Sequence, residues 1–150
     1  MTATEPQAID EMMGILNTAW LADANTLALP LLWEDVHSKP PSGSDANGQA
    51  LPWGKGFIRH AAGGTVSLTG ETGKRRYRRT GTIVVQIFSP AEEGRARNRL
   101  IAPVARDAYE AAQTTVLGIE YRNAHIEDLG EDGTWYQSNV LVDFEYDEVK

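Results

Sequence analysis

Most of the side chains that could do chemistry lie in one basic stretch and one acidic stretch. Five of the seven residues from Gly73 to Arg79 are basic. Further on, Asp143, Glu145 and Asp147 follow one another at steps of two, which places them on one face of an extended strand. Guanidinium groups bind phosphates and carboxylates, and neighbouring carboxylates raise one another's pKa. The pattern therefore admits nucleic-acid binding, acid–base chemistry or ionic protein contacts.

The basic stretch has three interpretations. As a nucleic-acid site, its cations would grip a backbone while Tyr77 stacks on a base. As a solvated strand end, it would discourage aggregation at a sheet edge. As a subunit contact, it would pair with the acidic row of a neighbouring copy, and two complementary patches of this kind favour head-to-tail rings. We favour the third; the candidate interface residues are Arg75, Arg76, Arg78, Arg79, Asp143, Glu145 and Asp147.

No residue pattern predicts catalysis, a cofactor or a metal. His37, His60 and His125 lie in separate segments without ligand spacing, and no phosphate-binding or nucleophile motif is present. The acidic run "IEDLGEDGT" could offer oxygen ligands to calcium, but it lacks the EF-hand order, and Asp132-Gly133 is typical of a hairpin turn. We expect no enzymatic activity, no cofactor and no metal.

Size and charge narrow the class of protein. With 150 residues and 41% hydrophobic residues, the chain predicts a single domain spanning 1–150. A net charge of -7 argues against general affinity for nucleic acids or anionic membranes. Without cysteine there is no disulfide framework, and we predict neither a signal peptide nor a membrane span.

Two helices are indicated. In the first, Thr4 is the expected N-cap and Gln7 completes a capping box, followed by an apolar stripe of Ile9, Met12, Met13, Leu16 and Trp20. In the second, Ser89 is the expected N-cap, followed by Pro90 and by Glu92 as its capping-box partner. Pro103 predicts a kink near Arg99 or Leu100. The face expected to cover the sheet consists of Ala96, Leu100, Val104 and Ala108.

The remaining segments predict strands and one long loop. Residues 27–36 are expected to be extended, and 37–56 to form a loop that orders only on assembly. Two strands should turn at Gly70–Gly73, with the basic half projecting as an arm, because a ribbon so poor in apolar residues does not hold itself rigid. A C-terminal hairpin should turn at Gly130–Gly133. The predicted class is α+β: an antiparallel sheet of about four main strands, two helices packed on it and a protruding hairpin arm.

The sequence resembles the tail terminator (tail completion) proteins of long-tailed bacteriophages. The similarity lies in "RRYRRTGTIVVQIFSPAEEG", "APVARDAYEA" and "IEYRNAHIEDLGEDGTWYQSNVLVDFEYDE", from about Arg75 to Glu148. It extends more loosely to the N-terminal helix and "LLWEDV", while Pro103 departs from the uninterrupted helix expected of the family.

The resemblance implies a structural virion protein. Members form a ring, typically a homohexamer, on the head-proximal end of the tail tube, where they stop tube polymerisation and provide the head–tail joining surface. The implied partners are further copies of the chain, the tail tube protein and a head-completion or neck protein; DNA passes through the ring without sequence-specific binding. Assembly would take place in the host bacterial cytoplasm. The alternatives are another neck, head-closure or minor tail component, and a nucleic-acid-binding module acting through the basic arm.

Overall fold

The computed structural model describes residues 3–34, 51–61, 63–66, 71–112 and 117–150, in which two helices pack on one mixed sheet. Neither of these helices is long and apolar enough to cross a membrane. In chain order the elements are α1 (Glu5–Ala22), β1 (Leu31–Trp33), β2 (Trp53–His60), β3 (Gly64–Thr65), β4 (Arg76–Pro90), α2 (Gly94–Ala111), β5 (Glu120–Asp132) and β6 (Trp135–Val149).

The sheet has six strands in the order β1-β2-β4-β6-β5, and β3 pairs with β4 beyond the end of β2. β1 runs parallel to β2, and the other neighbours are antiparallel. β4 and β6, each of 15 residues, pair along their whole length. The predicted α+β class is confirmed, with more strands than the four expected.

The two central strands bury one face of the sheet. Ile83 and Val85 of β4 lie opposite Val142 and Val140 of β6, and all four side chains are fully buried. This face carries the helices and forms the core, because alternate residues of a strand point to the same side. The alternation predicted for Ile83, Val85 and Ile87 and for the apolar row of β6 is confirmed.

α1 begins as its sequence predicts. The Thr4 hydroxyl accepts a hydrogen bond from the Gln7 main-chain N–H (3.4 Å), and the Gln7 side chain accepts one from the Thr4 N–H (3.0 Å). The buried stripe consists of Ala8, Met12, Leu16 and Trp20, with Met13 partly buried beside it. Trp20 fixes the end of the helix, since its indole N–H donates to the Leu29 carbonyl at 2.9 Å.

α2 differs from its prediction in both start and face. Ser89 and Pro90 are the last residues of β4, paired with β6, and the N-cap position falls at Glu93 without a side-chain cap. The helix runs through Pro103 to Ala111. Its buried side consists of Asn98, Ile101, Ala102, Ala105 and Tyr109, whereas Leu100, on the face expected to cover the sheet, is 53% exposed.

A buried polar side chain explains why the face of α2 that packs on the sheet differs from the predicted face. The Asn98 side-chain amide donates to the Ile87 carbonyl (3.2 Å) and the Ser89 hydroxyl (3.3 Å), and its oxygen accepts from Ser138. Buried amides need such partners, so this network holds Asn98 against the sheet and turns the Leu100 side outward. Ser89 thus contacts the helix through its side chain without capping it.

β2 begins inside the predicted 37–56 loop. Trp53 to Gly56 belong to the strand, where the absent side chains of Gly54 and Gly56 leave room for the rings of Trp20 and Trp33. Residues 37–50 of the expected loop lie outside the described residues. The C-terminal hairpin turns at Gly133 and Thr134, while Gly130 (φ +88°) lies at a register shift in β5, slightly before the predicted turn.

Candidate protein-interaction surface

The basic segment is part of the sheet. Arg76 to Arg79 begin β4 and pair with Val149 to Tyr146 of β6, while Tyr77 and Arg78 also pair with β3. The expected free arm is therefore corrected for these four residues, since all four pair with β6 and two of them also with β3. Arg75 lies just outside, where its carbonyl accepts a hydrogen bond from the Lys150 N–H at 2.9 Å.

Cross-strand register brings arginines and acidic residues together on the helix-free face. Arg78 lies directly opposite Asp147, and its Nε donates to Asp147 Oδ1 at 3.2 Å; Glu145 lies 3.5 Å away. Arg76 Nε is 3.7 Å from the other Asp147 oxygen. These neighbours, the Asp147 hydrogen bond first, raise the pKa of Arg78 above its ordinary value.

The opposite face of the same strands carries a second ion pair. The Arg79 guanidinium donates to Glu148 at 3.0 Å, and Lys150 Nζ lies 3.3 Å from the same carboxylate. Glu148 also accepts a hydrogen bond from the Glu5 main-chain N–H (3.3 Å), which joins the start of α1 to the end of β6. The bonds from Arg79 and Lys150 lower the pKa of Glu148.

In the ion pairs that Asp147 forms on the helix-free face, the arginines are more exposed than the carboxylate. The side chains of Arg76 and Arg78 are 51% and 46% exposed, whereas that of Asp147 is 17% exposed. The carboxylate thus lies beneath the guanidinium groups, and arginine has five N–H donors, more than one carboxylate occupies. The surface offers hydrogen-bond donors and positive charge even though its arginines are paired.

The rest of the predicted acidic row lies on the same face. Asp143 is exposed and accepts hydrogen bonds from the Thr82 hydroxyl (3.3 Å) and the Asn123 amide (3.0 Å). Glu145 lies opposite Thr80 in β4 and Glu120 in β5. The structure therefore joins the basic and acidic candidates within one chain, where the sequence hypothesis had paired them between copies. Their role at a subunit interface stays a prediction.

An apolar stripe on α2, missed as a surface feature by the sequence reasoning, faces away from the sheet. It contains Leu100, 53% exposed, and the half-buried Val104 and Ala108, beside Ala19 and Ala22 of α1. Together these residues line a shallow groove between the helices. The sequence did contain this information, because α2 carries apolar residues on two faces and only one face of the helix can pack on the sheet.

The histidines are distributed as single residues. His60 contacts the Tyr146 hydroxyl at 2.8 Å on the helix side of the sheet. His125 is exposed on β5, where hydrogen bonds, first to the Asn123 carbonyl and then to Glu127, raise its pKa. His37 lies outside the described residues. Among the described residues, no three metal-ligating side chains converge, including Asp128, Glu131 and Asp132 of the calcium alternative.

Comparison with known proteins places only the fold. No family model and no curated protein matches the chain. One solved structure is similar to this chain over 96% of both chains, with a TM-score of 0.60 and 15% sequence identity. At this identity the likeness shows the fold alone: the chain has the α+β fold of that structure.

Proposed function

We propose that this chain is a structural virion protein that caps the head-proximal end of a phage tail tube as a homo-oligomeric ring. The ring would stop tube polymerisation and provide the head–tail joining surface, with six copies as in the family that the sequence resembles. The observation that carries the proposal is the outward-facing arginine layer of Arg76 and Arg78 over Asp147, because it presents guanidinium groups on the helix-free face of the sheet. Such a surface suits a protein partner that supplies carboxylates or carbonyl groups.

A second observation supports assembly. Leu100 of α2, 53% exposed, lies in the groove between the helices with Val104 and Ala108, beside Ala19 and Ala22 of α1. Apolar groups of this kind that cluster on a surface mark contacts with other proteins. A ring subunit needs at least two contact surfaces, and the arginine layer and the helix groove are on different sides of the sheet.

The nucleic-acid alternative rests on the same arginines and on Tyr77. Tyr77 would have to stack on a base, but its ring already contacts two cations, with Arg79 at 5.7 Å and Lys150 at 5.8 Å from the centroid. This occupancy favours a protein contact. DNA binding through the basic residues would show a steep loss of affinity with salt, with a log–log slope of roughly -4 to -5.

Native mass spectrometry over a range of concentrations, with negative-stain images, tests the proposal. A ring of about 99 kDa with an open centre is expected, six times the chain mass of 16.5 kDa. Cognate tail tubes should carry it at one end only. A chain that stays monomeric at every concentration and does not bind tube ends contradicts the proposal and leaves the other neck components.

Charge reversal tests the surface that carries the proposal. Arg76→Glu with Arg78→Glu should weaken ring formation, and thermal unfolding must show that the variant is folded, since both arginines also contact Asp147. If assembly is unchanged while DNA retention in particles falls, these arginines face the passing DNA and the contact assignment is wrong.

A further inference from the structure

The two ends of the long β4–β6 ladder expose different charged side chains, with cations over paired carboxylates at one end and mainly carboxylates at the other. At one end lie Lys74, Arg75, Arg76 and Arg78, which we call the basic end. At the other end, β5 and β6 meet at the turn after Asp132, and Glu127, Asp128, Glu131 and Asp132 lie there within six residues. We call these four residues the acidic turn; no cation interrupts them in the sequence.

These ends lie far apart in one molecule. β6 runs from Trp135, next to the acidic turn, to Val149, opposite Arg76. A 15-residue strand spans about 48 Å at the rise of an extended chain. This distance exceeds the Debye length of about 8 Å at physiological salt several times over, so the two ends do not neutralise each other within one chain.

Each end combines charge with an exposed apolar side chain. Leu129, between the acidic residues, is 56% exposed, and Val66 and Val149, beside the basic end, are 45% and 38% exposed. Interfaces are commonly built this way, with apolar contacts surrounded by charged or polar groups. The two ends thus match each other in both charge and apolar content.

Two of the four carboxylates of the acidic turn have an ion-pair partner within the described part of the chain. Asp128 is paired with Arg99 of α2, and Glu127 lies 3.5 Å from the His125 ring. Glu127 and Glu131 are exposed. At the basic end, Lys74 lies 3.2 Å from Glu71 but its side chain is 75% exposed, and the side chains of Arg76 and Arg78 are 51% and 46% exposed.

We propose that the acidic turn of one copy binds the basic end of the next copy. The inference rests on the proposed ring function and names the contact that builds the ring. Because the two patches differ, the contact is head-to-tail, and such contacts close into a ring or continue as a filament according to the rotation between copies. The acidic turn, and not the acidic row around Asp147, is then the partner of the arginines of the next copy. Asp147 already pairs with Arg76 and Arg78 of its own chain.

Two charge-reversed variants test the contact. The first carries Lys74→Glu and Arg75→Glu, which cancel the charge of its basic end; the second carries Glu127→Lys and Glu131→Lys, which cancel the charge of its acidic turn. All four positions are exposed, and Asp128 with its partner Arg99 is left intact. The matched control, Asp10→Lys with Glu110→Lys, changes net charge as much as the second variant at exposed positions on the two helices.

Native mass spectrometry and analytical ultracentrifugation at low and high salt read out the assembly. Each variant alone should need at least about tenfold more protein than wild type for half-assembly, and the control should assemble like wild type. A 1:1 mixture of the two variants should recover assembly with alternating copies, because each contact joins either an intact acidic turn to an intact basic end or the introduced lysines to the introduced glutamates. High salt should weaken the wild-type contact.

Wild-type assembly by both variants alone would overturn this contact and leave the proposed ring standing. If both variants are folded and their mixture does not recover assembly, the proposed contact is overturned as well. If wild type forms no oligomer alone or on tube ends, the proposed function itself is wrong, and the contact falls with it.

Discussion

The Tyr109 hydroxyl donates a hydrogen bond of 2.7 Å to the main-chain carbonyl of Met12. The bond joins the last turns of α2 to the middle of α1 and is buried. Burial raises the pKa of Tyr109 well above the ordinary tyrosine range, so the hydroxyl stays a proton donor at any working pH. It is a direct polar link between the two helices.

Removing this hydroxyl should destabilise the protein. We expect Tyr109→Phe to lower the free energy of unfolding by about 0.5–1.5 kcal/mol, measured by urea denaturation. Tyr121 provides the matched control. The centroid of its ring lies 5.4 Å from that of Tyr109, and its buried hydroxyl has no hydrogen-bond partner among the described residues. Tyr121→Phe should be neutral or stabilising. Equal losses in both variants would contradict the structure.

Two glycines that differ in the space around them provide a second pair of substitutions. A Cβ atom on Gly56 would lie 2.5 Å from the Trp33 ring, whereas one on Gly14 of α1 meets nothing within 4 Å. Gly56→Ala should cost about 1–3 kcal/mol of unfolding free energy, and Gly14→Ala should gain about 0.5–1 kcal/mol by restricting the unfolded chain. Thermal unfolding checks both; a harmless Gly56→Ala would mean that Trp33 is not packed there.

The orientation of α2 can be tested with two neighbouring residues. Ile101 is fully buried and Leu100 is 53% exposed. Ile101→Ala should therefore cost about 2–5 kcal/mol, and Leu100→Ala about 0.5 kcal/mol or less. Chemical denaturation distinguishes them. The reverse order would restore the face first expected from the sequence.

Glu148 predicts a pH dependence of stability. The hydrogen bonds from Arg79 and Lys150 lower the pKa of its carboxyl in the folded chain, so the unfolded chain binds a proton more readily. The stabilisation is complete above the ordinary glutamate value of about 4.3 and is lost as pH falls through the lower folded pKa.

Glu148→Gln should remove this part of the acid sensitivity. The variant should be less stable than wild type at neutral pH, and the difference should shrink as the pH falls below about 4. Thermal melts between about pH 3 and 7 provide the measurement. A constant difference across that range would show that Glu148 does not titrate as described.

Elements with strong local signals were predictable from the sequence. The capping box at Thr4 and Gln7 and the apolar alternation of β6 are both found, because each depends on residues only a few positions apart. The α+β class follows from such elements. The ionic character of the basic segment was also visible, since five cations in seven residues need no structure to be seen.

Features that depend on distant residues were missed. "WGKG" looks like a loop, yet Gly54 and Gly56 are strand residues whose missing side chains leave room for the rings of Trp20 and Trp33 from other elements. The face of α2 depends on Asn98 and its partners in two strands, which a helix pattern does not contain. Likewise, the arginines were expected on an arm because the register that joins Arg78 to Asp147 connects segments 69 positions apart.

The full-length pairing of β4 with β6 also governs how the chain folds. Its partners are separated by between 45 positions, from Pro90 to Trp135, and 73 positions, from Arg76 to Val149. A ladder of this kind closes a large loop before most of its contacts form, and such topologies refold on the order of milliseconds to seconds. We expect α1, α2 and the local β5–β6 hairpin to form early. The unpaired edges and the apolar side chains of β4 then stay uncovered during the slow step. Concentrated refolding should therefore lose material to aggregation, and rapid dilution should recover it.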